Sequence, residues 1–176
     1  MAVTLDQLAQ LLDQRNWHYQ QDPESQCIYT GVKAQNLDKL FIVLNLTENG
    51  EFLQLQAPQI LSLTDHVYKG PTLQTLATIQ YQVKMLRLEY DPSDGEIRGS
   101  IELPLEDASL TQRQFDRALN GLIQLVDHHA IPRLRQTLAT GIDPGPPSLA
   151  QQMLHALPQD FISALAQAIQ QFPQAS

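Results

Sequence analysis

The chain has 176 residues, of which 43% are hydrophobic and 17% charged, and its net charge is −8. That length and composition suit one domain with a sizeable core and exclude a disordered polyelectrolyte. An acidic surface without a Lys/Arg cluster repels phosphate backbones and anionic lipid, so neither nucleic acid nor membrane is an expected partner.

Cys27 is the only cysteine, so no intrachain disulfide can form and a reducing compartment fits. The first residues lack the basic flank and apolar run of a signal peptide, and no apolar stretch approaches the roughly 20 residues of a membrane span. A cytoplasmic protein is expected.

Thr4 with Gln7 makes a capping box, after which Leu5, Leu8, Leu11 and Leu12 recur at helical spacing toward Arg15. Trp17 to Gln21 and Cys27 to Lys33 read as short extended pieces around the turn-forming Asp22-Pro23. Leu40 to Thr47 and Phe52 to Ala57 flank Asn49-Gly50, a two-residue hairpin signal because both turn positions need positive φ. That register faces Leu46 with Leu53, Leu44 with Leu55 and Ile42 with Ala57, one continuously apolar face.

Pro71 opens a second helix, with Leu73, Leu76, Ala77 and Val83 on one face and Ile79 at its edge. Leu86, Leu88 and Tyr90 then alternate with Arg87 and Glu89. After the Asp91–Gly95 turn, Ile97, Ile101 and Leu103 point inward, giving a second hairpin with one wet face. Thr111 and Gln114 form another capping box, with Leu110 and Phe115 as its hydrophobic staple. The long helix that follows carries Phe115, Leu119, Leu122, Ile123 and Val126, and Pro132 should kink or break it before Leu134 and Leu138. Gly141 to Pro147 reads as a linker. Beyond it, Ser148 caps a helix, and Phe161, Leu165, Ile169 and Phe172 form an amphipathic stripe that either docks on its own domain or faces a partner.

The expected fold class is therefore α+β: an antiparallel sheet with helices packed on it, in the order helix, strands, helix, two strands, long helix, with a C-terminal helical extension. The expected organisation is a domain over 1–140, a linker over 141–147 and the extension over 148–176.

The sequence Asp94-Gly95-Glu96-Ile97-Arg98, the strand exit Leu103-Pro104-Leu105, Leu110-Thr111 and Val126-Asp127 together resemble the YbjN family of candidate bacterial sensory transduction regulators. The resemblance spans roughly Leu5 to Leu138. It implies a type III secretion chaperone-like fold and a homodimer that binds another protein and catalyses nothing. It supplies no catalytic residues.

Asp127-His128-His129 resembles the DHH string of metal-dependent phosphoesterases, and a small metal-dependent hydrolase is the rival reading. Adjacent helical histidines point about 100° apart, which suits one ion poorly, and no second Asp/His cluster accompanies them. Setting Gly95 at the sixth position of a calcium loop puts Tyr90, Pro92 and Ile101 where oxygen ligands belong, so that stretch is read as a hairpin turn. Glu89 and Arg98 read as an exposed cross-strand pair. Cys27 reads as a small buried hydrophobe, and His18, His66 and His155 stand alone. No cofactor or metal site is expected. The resulting expectation is a homodimeric protein- or peptide-binding module whose acidic surface favours basic stretches. Its dimer or partner contact falls on Leu73, Leu76, Val83, Leu86 and Leu88, which compete for a limited interior.

Overall fold

The computed structural model describes residues 2–106 and 108–146; the extension expected over 148–176, with its amphipathic stripe and His155, lies outside them. The first helix, α1 (Leu5–Asp13), starts at the expected capping box: Thr4 Oγ1 accepts from the Gln7 N–H, and Gln7 Oε1 accepts from the Thr4 N–H. It buries Leu5, Leu8, Ala9 and Leu12. The Asp22-Pro23 turn joins β1 (Tyr19–Asp22) to β2 (Cys27–Val32).

Strands β3 (Leu40–Thr47) and β4 (Phe52–Ser62) pair in the expected register, Leu46 with Leu53 and Leu44 with Leu55. The Glu51 N–H closes the Asn49-Gly50 turn on Glu48 O at 3.1 Å. Glu48, like the two turn residues, has positive φ, so pairing starts one rung further out, at Thr47–Phe52. β4 also runs past Ala57, the expected strand end, and through Pro58. Four steps along β4, Ala57 to Leu61, match two along β6, Gly99 to Ile97, and this irregularity absorbs the proline.

β5 (Arg87–Tyr90) and β6 (Glu96–Pro104) form the second hairpin. The six strands lie in the order β1-β2-β3-β4-β6-β5, and every neighbouring pair is antiparallel. Glu89 lies opposite Arg98 as expected, yet its ion pair is with Arg87 at 2.8 Å, while Arg98 turns to Glu96 and Asp91.

One sheet face is continuously apolar, through Ile28, Ile42, Leu44, Leu46, Leu53, Leu55 and Ile101. The helices pack there. Gly99 marks the closest approach, since a Cβ at that position would lie 2.8 Å from Val126 Cγ2. The opposite face carries Tyr29, Phe41, Val43, Phe52, Gln54 and Gln56, and no helix among the described residues covers it.

Helix α2 (Lys69–Gln82) begins two residues before Pro71; the missing N–H still costs nothing, because the first four helical N–H groups have no intrahelical acceptor. Its buried face is Thr72, Thr75, Leu76 and Ile79, a correction to the expected Leu73–Ala77 face; Ala77 is exposed and Val83 lies past the helix end. The threonines bury because their hydroxyls find partners. Thr72 Oγ1 donates to Tyr68 O, Thr137 Oγ1 donates to Arg133 O, and Thr75 Oγ1 sits 3.2 Å from Thr137 Oγ1.

Helix α3 (Gln112–Gln124) repeats the capping-box start at Thr111 and buries Phe115, Ala118, Leu119 and Leu122. Arg15 ties it to the end of α1, donating to Asp116 Oδ1 at 2.6 Å and Asn120 Oδ1 at 2.7 Å. The expected break near Pro132 is a widened turn instead: Leu125–Ala130 is a π-helical segment, and α4 (Ile131–Thr140) follows it. These elements belong to one compact unit, Met1–Pro144.

Candidate functional site

The residues expected to form an open dimer or partner surface are mostly interior. Leu76, Leu86 and Leu88 are buried in the chain's own core, and Leu73 and Val83 are partly buried and packed against it. The apolar surplus expected of α2 and β5 is therefore absorbed within the unit, because α4 packs against α2 and supplies a second layer.

Asp127 is also not where helical counting puts it. An ideal helix places it about 100° from Val126, at the edge of the apolar stripe. The π turn adds a residue to that turn and brings both Val126 and Asp127 inward, leaving Asp127 1% exposed. Its carboxylate accepts two main-chain hydrogen bonds from the loop between β2 and β3: Gln35 N–H to Oδ2 and Asn36 N–H to Oδ1, both 2.8 Å. Asn36 Nδ2 donates back to Asp127 O at 2.9 Å, and Arg135 Nη1 donates to Asn36 O at 2.5 Å. The loop is thus clamped onto the π turn and α4. A carboxylate so engaged is a structural acceptor.

His128 Nε2 is 3.8 Å from Asp127 Oδ2. Burial, with the charges of His128 and Arg133 adding to it, holds the His129 imidazole below its ordinary value. No group of three or more His, Cys, Asp or Glu side chains placed to hold a metal ion occurs among the described residues. Cys27 is buried against Asn45, to whose Oδ1 its thiol donates, and burial pushes its pKa up, opposite to what a nucleophile needs. His66 Nδ1 accepts from the Tyr68 N–H.

The clamped loop borders two clefts. One, of about 510 Å³, lies between Lys33–Asp38 and Ile131, Pro132 and Arg135. The other, of about 370 Å³, lies between Leu37, Phe41, Pro58 and Ile60, with Lys39 at its side. Lys39 Nζ sits 4.8 Å above the Phe41 ring, and Phe41 is 49% exposed. No motif points directly to this pair of clefts; the available hint is the polar run Gln35-Asn36 between two strands.

No protein-family model matches the chain, and no curated protein matches it. Solved structures do. YbjN, a candidate transcription regulator from E. coli, superposes with a TM-score of 0.57 at 13% identity, covering 84% of this chain and 99% of that one. The ExsC–ExsE complex contains a chain that superposes at 0.52 with 17% identity, covering 74% of this chain and 95% of that one. A chain of the HopA1–SchA chaperone–effector complex reaches 0.49 at 14% identity, over 69% and 88%, a score too low to support an argument. The chain has the YbjN-like, type III secretion chaperone-like fold expected from its sequence. No helix among the described residues is long and apolar enough to cross a membrane.

Proposed function

We propose that this chain is a non-catalytic protein-binding module of chaperone-like or regulatory character, cytoplasmic and homodimeric. The observation that carries the reading is the sheet face that no helix among the described residues covers, where Tyr29, Phe41, Val43 and Phe52 stand among Gln54, Gln56 and Asn45. Such a mixed apolar and amide surface suits a protein partner, combining burial with hydrogen bonding. The shared fold supports it, since the ExsC–ExsE structure is of a complex.

The rival hydrolase reading needs Asp127 as a ligand or base. Both of its carboxylate oxygens accept loop N–H groups and the residue is 1% exposed, so an ion would reach it only if the clamped loop moved.

The test is co-purification from the native host with tagged wild type and a Val43→Glu variant, Val43 lying on the uncovered face. A protein recovered in stoichiometric amount with wild type and lost with the variant supports the reading. Light scattering on the same samples should give about twice 19.8 kDa. Recovery of equal amounts with both proteins would place binding elsewhere, and metal-dependent phosphoesterase turnover by the purified chain would restore the hydrolase.

A further inference from the structure

The net charge of −8 implies a surface that prefers basic partners, but the two clefts beside the β2–β3 loop have the opposite local balance. Lys33 and Arg135 flank the larger cleft, and Lys39 stands beside the smaller one. None of the three meets a carboxylate within ion-pair distance among the described residues. Lys39 lies over a ring, and Arg135 donates to the Asn36 carbonyl. Two acidic side chains are nearby: Asp38, which is exposed, and Asp127, which is buried with both oxygens engaged. Of the cations elsewhere, Arg15, Arg87, Arg98 and Arg133 have carboxylate partners, whereas Lys69, Lys84, Arg113 and Arg117 meet none within ion-pair distance among the described residues. What marks the ridge is the gathering of three such cations around one pair of clefts.

Leu37 lines both clefts, so they meet along one ridge, with cations on its flanks and Phe41 and Ile60 in the apolar half. The backbone of that ridge is fixed by the Asp127 clamp, so a ligand does not have to order it.

We infer that this ridge takes an acidic segment of a partner protein, an apolar side chain of the segment entering the Leu37–Phe41 cleft and its carboxylates meeting Lys33, Lys39 and Arg135. The inference rests on the protein-binding reading above and names the chemistry of one partner segment. The acidic remainder of the surface opposes approach at long range. That field is screened beyond about 8–10 Å at physiological salt, whereas contacts within the cleft are not.

The test is fluorescence anisotropy with three short labelled peptides on the full chain: one alternating leucine with glutamate, one alternating leucine with lysine, one alternating serine with glutamate. The leucine–glutamate peptide should bind, and the other two should bind at least roughly tenfold more weakly. Lys33→Glu with Lys39→Glu should weaken binding by roughly tenfold, and Phe41→Ser should weaken it as well. All three positions are exposed, so the variants should fold, and circular dichroism is the check. Equal binding of the serine–glutamate peptide, or competition by heparin as effective as by unlabelled peptide, would reduce the ridge to a general anion site and overturn the proposal. Preference for the leucine–lysine peptide would overturn it while leaving a protein-binding module in place. Binding to none of the peptides overturns it as well, and co-purification then judges the module separately.

Discussion

Val3 and Gly50 join the start of the chain to the β3–β4 turn through their backbones alone: the Val3 N–H donates to Gly50 O at 3.0 Å, and a Cβ at residue 50 would lie 2.2 Å from Val3 O. Gly50 also has φ of +93°, a left-handed conformation that costs other residues about 1–2 kcal/mol. The obstructing atom is main chain and cannot rotate aside. Gly50→Ala should therefore lower stability by about 2–3 kcal/mol, more than Asn49→Ala at about 1 kcal/mol, read from urea midpoints. Equal losses at the two positions would show that the Val3 contact contributes nothing.

Asp127→Asn should cost about 1–3 kcal/mol, because an amide offers one acceptor where two N–H groups need one each. Amide exchange at Gln35 and Asn36 should accelerate in this variant more than in the strands. His128→Gln is expected to stay within about 0.5 kcal/mol, its ring being only partly buried. A larger loss from His128→Gln than from Asp127→Asn would contradict the clamp.

The depressed pKa of His129 makes stability depend on pH in a defined direction. The unfolded imidazole binds protons around its ordinary 6.5, the folded one only at lower pH, so acidification through that range favours the unfolded chain. Stability should be flat above about pH 7.5 and fall below about pH 6.5, before ordinary carboxylates titrate. His129→Gln should flatten that step. An unchanged step in the variant would assign it to another group.

The residues that announced the fold were those whose local chemistry and tertiary role agree. Thr4 with Gln7, Thr111 with Gln114 and Asn49 with Gly50 each need only neighbours in sequence to act; both capping boxes form as read, and the Asn49-Gly50 turn sets the expected register with a loop one rung longer. Leu44 and Leu55 meet because a turn and an alternation both require it. The α2 face was misread because burial there depends on hydroxyl partners: Thr137 on α4 completes Thr75, and nothing near Thr75 in sequence reveals that. The role of Asp127 is not legible because a π turn shifts the helical phase, and its two donors lie 91 and 92 residues away in the chain. The clefts inherit that illegibility, since they exist only once the loop is clamped.

Leu76 separates an interior position from an interface one. It is 7% exposed within the single chain. Leu76→Glu should then unfold the protein, an unpaired charge in a packed core costing several kcal/mol, roughly 3 or more. Leu73→Glu, at a partly buried position, should be milder. A Leu76→Glu variant that keeps its circular dichroism and runs at half the wild-type mass would instead make Leu76 a dimer contact.

The end of the domain is set by a buried guanidinium. Arg133, 5% exposed, donates from Nε and Nη2 to both oxygens of Asp143, at 3.0 and 2.6 Å, and from Nη1 to Gln82 Oε1 at 2.7 Å. Asp143 lies in the stretch whose Gly and Pro content reads as linker, and it is neither helix nor strand, yet it completes the charge balance of α4. A boundary at residue 140 would leave Arg133 buried without a carboxylate, whereas one at residue 146 keeps the pair. Removing one partner of a buried ion pair costs about 3 kcal/mol, far more than loss of an exposed pair. A chain shortened after Thr140 should therefore melt well below one shortened after Pro146, and Asp143→Asn in the longer chain should reproduce most of the difference. Arg133→Met should be better tolerated than Asp143→Asn, because it removes the buried charge along with its partner's need for it. Equal melting of the two shortened chains would show that the domain ends at α4 and that the Arg133–Asp143 pair contributes nothing to its stability.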